Sequence, residues 1–78
     1  MIQQEWTCPV KPEDIPAYLN WVAQDMDGDW FGYTTEPVID SEFLMWTDNS
    51  NFIQLGGDYL CRSEYNANWQ NTKQRIPR

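Results

Sequence analysis

The chain contains no histidine. That removes the commonest general base and the commonest zinc ligand together. Cysteine is scarce as well: only Cys8 and Cys61 are present. Two isolated thiols cannot complete a structural zinc site without other strong ligands, and neither has an imidazole to activate it as a nucleophile. Between Lys11 and Arg62 there is no basic residue at all. A body so depleted in Lys and Arg repels phosphate backbones, which argues against direct DNA or RNA binding. No run of about 18 apolar residues occurs, so a spanning helix is excluded. The stretch MIQQEWTCPV lacks the basic n-region and apolar h-region of a secretory signal. These absences predict a cytoplasmic protein with two free thiols, no metal, no cofactor and no membrane partner.

What is present fits one small domain over residues 1–78, for which a chain of this length buries only roughly 60% of its unfolded surface. Five Trp, four Tyr and three Phe supply a core economically, since each aromatic buries on the order of 150–250 Å². The net charge of −7 is unevenly spread. Residues 12–61 hold Glu13, Asp14, Asp25, Asp27, Asp29, Glu36, Asp40, Glu42, Asp48 and Asp58 without a base, whereas residues 62–78 set Arg62, Lys73, Arg75 and Arg78 against Glu64 alone. Such an acidic interval favours solubility and a basic partner.

The organisation read from the sequence has three parts. Residues 1–17 form a proline-rich lead-in, in which PEDIP makes one helical turn with Pro12 at its first position. Residues 18–65 form antiparallel hairpins, and residues 66–78 form a basic segment with a short C-terminal helix anchored by Trp69. The fold class expected is therefore mainly β (α+β), a small antiparallel sheet of four or five strands.

The strongest local signal is YLNWVAQD, MDGD and WFGYTTEP, two strand-like runs around Asp27-Gly28. A two-residue type I′ loop at Asp27-Gly28 sets Ala23 opposite Gly32 and Val22 opposite Tyr33. One face then carries Val22, Phe31 and Tyr33, and the other Leu19, Trp21, Ala23 and Trp30. Three carboxylates in DMDGDW also suggest a calcium loop, but neither EF-hand register works. With Asp25 at position 1, Trp30 takes the glycine position; with Gly28 at position 6, Ala23 takes position 1 and Thr34 position 12. A second hairpin is expected between Phe43–Trp46 and Phe52–Leu55, turning at TDNSN. After Gly56-Gly57, the run YLCRSEY adds a strand with Tyr59, Cys61 and Ser63 on one face. Carboxylates at a wet hairpin tip keep solution-like acidity, so a carboxylate enzyme is not expected, and Gly56-Gly57 lacks the lysine and helix start of a phosphate loop.

Pro16 through Pro37, containing NWVAQDMDGDWFGYTTEP, resembles a group of small uncharacterised bacteriophage accessory proteins. Trp21, Val22, Ala23, Asp25, Asp27, Gly28, Tyr33 and Pro37 carry the likeness, with Gly56, Tyr65 and Trp69 further on. The resemblance implies a small non-enzymatic product acting inside a bacterium. Together with the charge, it leads to the expectation of an inhibitor that binds a basic host protein, such as a nucleic-acid enzyme of a defence system, with DNA mimicry as one form. The alternative is a structural or regulatory adaptor recognised through exposed tryptophans. Expected contact residues are Asp25, Asp27, Asp29, Trp30, Glu36, Asp40, Glu42 and Asp48. A strand edge or Trp face leaves homodimerisation open.

Overall fold

The computed structural model describes residues 5–48 and 57–78. Its centre is the hairpin of β1 (Trp21–Gln24) and β2 (Asp29–Tyr33). Two more strands complete an antiparallel sheet in the order β5-β2-β1-β6, with β5 at Asp58–Arg62 and β6 at Gln74–Arg75. A separate two-stranded ribbon pairs β3 (Val38–Asp40) with β4 (Met45–Thr47).

The central hairpin forms where the sequence places it, but with a three-residue loop. The Gly28 N–H bonds the Asp25 carbonyl at 3.0 Å and the Asp25 N–H bonds the Asp29 carbonyl at 2.9 Å. Gly28 has φ of 102°, so a turn over Asp25–Gly28 ends in a left-handed glycine, the usual three-residue solution. The register is thereby one residue off the two-residue expectation: Val22 faces Gly32, Ala23 faces Phe31 and Trp21 faces Tyr33. A one-residue slip exchanges the faces of one strand relative to the other.

The outcome is two cores, one on each side of the sheet. On one side Val22 and Trp30 pack with Cys8, Ile15, Leu19 and Ile76, bordered by Trp6, Val10, Leu60 and Cys61. On the other, Ala23 and Tyr33 pack with Trp46 and Trp69, bordered by Trp21 and Phe31. Leu19 reaches into the space that a side chain at Gly32 would fill, since a Cβ there would lie 2.6 Å from Leu19 Cδ1. Trp46 and Trp69 meet edge to face at 6.1 Å. Covering both faces buries Trp30, Trp46 and Trp69 and half-buries Trp6 and Trp21, so the tryptophans supply the core.

Strand β5 follows GG as expected, but its alternation breaks. Trp30 faces Cys61 while Phe31 faces Tyr59, so Leu60 is an extra residue in a bulge. Tyr59 therefore meets Phe31 edge to face at 5.8 Å, whereas Leu60 and Cys61 both border the Trp30 core. Both cysteines are free thiols, and burial pushes the Cys8 thiol up to about 11.

The ribbon turns at Ser41–Leu44, earlier than TDNSN. Asp40 Oδ1 accepts the N–H groups of Glu42 and Phe43 at 2.9 and 3.2 Å, and Leu44 adopts φ of 53°. The short acidic side chain thus closes a turn with its own following backbone. The expected strand Phe52–Leu55 lies outside the described residues.

The expected C-terminal helix is replaced by one 3-10 turn at Trp69–Asn71 and by β6. A lone Trp69 gives that segment no apolar stripe, and a short helix without one is marginal. The free edge of β1 offers more: Trp21 and Val22 pair with Arg75 and Gln74. The buried Gln74 side chain also accepts from the Thr7 N–H and hydroxyl. The 3-10 turn Pro12–Asp14 forms with Pro at its start. Arg78 then locks this lead-in, donating to the carbonyls of Ile15, Pro16, Ala17 and Leu19.

Two substitutions test this account by urea unfolding. Gly28→Ala places a Cβ 2.3 Å from the Ser63 carbonyl at a left-handed φ, and is expected to cost more than about 2 kcal/mol. Arg78→Ala is expected to cost about 1–3 kcal/mol, with Arg78→Lys recovering only part because it lacks the planar fork.

Candidate functional site

The two turns that shape the fold also lie side by side. The first tip carries Asp25, Met26 and Asp27, and the second carries Phe43, Leu44 and Met45. Between them is a groove of about 280 Å³ lined by these residues. Asp25 fixes the approach, because its Oδ1 accepts the Trp46 N–H at 3.0 Å and so ties the first tip to β4. Phe43 is 66% exposed and Leu44 53%, with Met26 also at the surface. Large apolar side chains this open, adjoining carboxylates, distinguish the groove from an ordinary wet hairpin tip.

The sequence candidates separate into three groups. Asp25, Asp27, Asp40 and Glu42 belong to the two tips. Asp27 Oδ1 accepts the Asp29 N–H at 3.1 Å, so it closes the turn while remaining exposed. Asp29, Glu36 and Asp48 have partners elsewhere. Asp29 takes Arg62 in a two-pronged pair at 2.8 and 3.3 Å, Glu36 takes Lys73 at 2.9 Å, and Asp48 accepts the Thr35 hydroxyl at 2.7 Å. Trp30 stands apart from all of them: at 3% exposure it is a core residue and cannot be presented to a partner in this fold.

The exposure of Phe43 and Leu44 beside the first tip was not read from sequence, since the run Phe43–Trp46 reads as a strand. The signal that finds Phe43 and Leu44 is Asp40-Ser41-Glu42, an Asx-type turn opener that moves the two residues after it onto a tip. Among the described residues, no group of three or more Cys, Asp or Glu side chains is placed to hold a metal ion. No helix is long and apolar enough to cross a membrane there either.

The electrostatics of the first tip are divided. Burial raises Asp25 above the ordinary carboxylate range, with Asp27 and Asp29 adding to the shift and the Trp46 N–H opposing it. Hydrogen bonding to Arg62 lowers Asp29. The signs are opposite for stability. Ionised Asp25 opposes folding, and that penalty disappears as pH falls below its unfolded value. Paired Asp29 supports folding above its unfolded value, and that support is lost as pH falls through its folded value. Asp25→Asn, which keeps the acceptor for Trp46, should therefore be at least as stable as wild type at pH 7 and converge with it in acid. Asp29→Asn should be less stable at pH 7 and also converge in acid. Urea midpoints across pH check both.

Comparison with protein-family models, with curated proteins and with solved structures finds no match, so a functional reading rests on this geometry.

Proposed function

We propose that the protein is a non-enzymatic binding protein that engages a basic host protein through the two-tip surface and inhibits it. The observation that carries this reading is the groove between Asp25-Met26-Asp27 and Phe43-Leu44-Met45, where exposed apolar groups sit beside carboxylates. Aromatic and aliphatic anchors supply most interface affinity, and a surrounding acidic field selects a basic partner and speeds encounter. The field is reinforced by the second turn, which adds Asp40 and Glu42. Two of the basic residues are meanwhile held in ion pairs with Asp29 and Glu36, so they do not compete for the tips.

The partner this favours carries Lys or Arg around an apolar side chain. A bacterial nucleic-acid enzyme of a defence system fits that chemistry. Imitation of a phosphate row is supported less well than a mixed contact. Duplex DNA presents about one charge per 1.7 Å of axis, whereas here Met26, Phe43 and Leu44 interrupt the acids and Asp29 and Glu36 are neutralised internally. An adaptor recognised through tryptophans is also less favoured, because Trp30, Trp46 and Trp69 are core residues. Among the described residues, the exposed aromatics are Tyr18, Phe43, Tyr59 and Tyr65.

Affinity capture from bacterial lysate with stepwise salt elution tests the proposal. The wild-type protein should retain a basic protein that elutes as salt rises. Phe43→Ala should weaken that binding by about tenfold or more. Asp27→Asn combined with Glu42→Gln should slow association and flatten its salt dependence. Retention of the same partner by all of these variants would sink the idea.

A further inference from the structure

A second concavity shares no lining residue with the groove and differs from it in chemistry. It is a cleft of about 660 Å³ whose walls include Gln24, Trp30, Tyr65, Asn66, Asn68 and Asn71. Ser63, Thr7 and Thr72 add hydroxyls, and Glu64 is the one charged residue among the described lining. The volume falls within the roughly 300–1,000 Å³ range of small-molecule sites.

Its floor is built and rigid. The Gln24 side chain is 4% exposed, and its Nε2 donates to the carbonyls of Gly28 and Glu64, each at 3.2 Å. Its Oε1 accepts the Asn66 Nδ2 at 3.0 Å. The Asn66 N–H in turn bonds the Met26 carbonyl at 3.1 Å, and the Thr72 hydroxyl accepts the Gln24 N–H at 2.8 Å. This network holds the segment 63–72 in place without consuming every polar group. Trp30 Nε1 is buried and has no acceptor among the described residues. Asn68 and Asn71 are exposed on the rim, and Tyr65 is 67% exposed.

We propose that this cleft binds a neutral polyhydroxylated ligand of monosaccharide size. The carboxamides of Gln24 and Asn66 are engaged within the floor, whereas the exposed carboxamides of Asn68 and Asn71 each offer a donor and an acceptor side by side, which matches neighbouring hydroxyls that are themselves both. Tyr65, 67% exposed, adds an aromatic ring at the cleft for the C–H side of such a ligand. Glu64 and the absence of Lys or Arg among the described lining disfavour phosphorylated or carboxylated ligands. The preformed floor keeps the ordering cost of binding low. The site is independent of the two-tip surface.

The test is titration of the full-length, 15N-labelled protein with glucose, galactose and N-acetylglucosamine, and with glucose 6-phosphate as the anionic counterpart. At least one neutral sugar should shift the Trp30 indole N–H and the Asn68 and Asn71 amide signals saturably. Glucose 6-phosphate should bind at least about tenfold more weakly than the parent sugar if glucose is the one bound, and should otherwise give no saturable shift. The double variant Asn68→Ala/Asn71→Ala, altered only at exposed rim positions, should keep its thermal midpoint and lose about tenfold in affinity. The proposal is overturned if no neutral sugar gives a saturable shift, if the sugar phosphate binds as well, or if the double variant binds unchanged.

Discussion

The left-handed backbone of Gly28 sets the terms for most of this molecule. With φ of 102° it closes a three-residue loop, and loop length decides which residues of β1 and β2 stand opposite one another. Opposite residues share a face, so Trp30 joins Val22 under the lead-in while Trp21 and Ala23 join Phe31 and Tyr33 under the ribbon. A two-residue loop would divide the aromatic residues differently, and neither cover would find its complement. The same glycine admits the segment after β5 to close range: the Ser63 N–H bonds the Gly28 carbonyl at 2.8 Å, an approach that a side chain would block.

Covering both faces of a four-stranded sheet with so short a chain leaves no regular helix to do the work among the described residues. Irregular segments take that role, and their backbone groups must still be satisfied. Arg78 satisfies carbonyls of the lead-in, Gln74 holds Thr7, and the Trp46 indole N–H reaches the Gln24 carbonyl at 3.0 Å. Long polar side chains thus replace the ladders that a helix would provide internally. The basic end of the sequence is spent in this way: Arg62 on Asp29, Lys73 on Glu36, Arg75 over the Trp21 ring and Arg78 on the lead-in.

Local chemistry made the central hairpin, the Pro12 turn and β5 legible from sequence, because Asp-Gly, Pro and Gly-Gly act within a few residues. Register was not legible. Asp27-Gly28 serves a two-residue or a three-residue loop, and the choice rests on what packs above and below. The turn at Ser41–Leu44 was not read because DSEF carries its turn chemistry in Asp40 alone, before the apolar run Phe43–Trp46, and the Asp25 bond to the Trp46 N–H that anchors β4 comes from 21 residues away. The expected turn at TDNSN runs outside the described residues. The candidate site was half legible. Its charge is visible as composition, but the pairing of Asp29 with Arg62 and of Glu36 with Lys73 spans 33 and 37 residues. Likewise Trp30 looks like an anchor beside acids until its burial places it in the core.

The first tip shows how a small fold can free side chains by binding backbone. The Gly28 carbonyl accepts the Ser63 N–H and Gln24 Nε2, and the Met26 carbonyl accepts the Asn66 N–H. With its carbonyls bound to Gln24, Ser63 and Asn66, the loop keeps Met26 and Asp27 exposed along the groove they share with Phe43 and Leu44. Preorganisation of this kind reduces the conformational entropy lost on association. Leu44 extends the argument: a non-glycine residue at φ of 53° and 53% exposure gains little from burial to offset its backbone cost. Its conformation places Phe43 and Leu44 along the groove they share with the acidic loop, and under the proposed reading a partner that covered both side chains would recover apolar burial that the isolated fold forgoes.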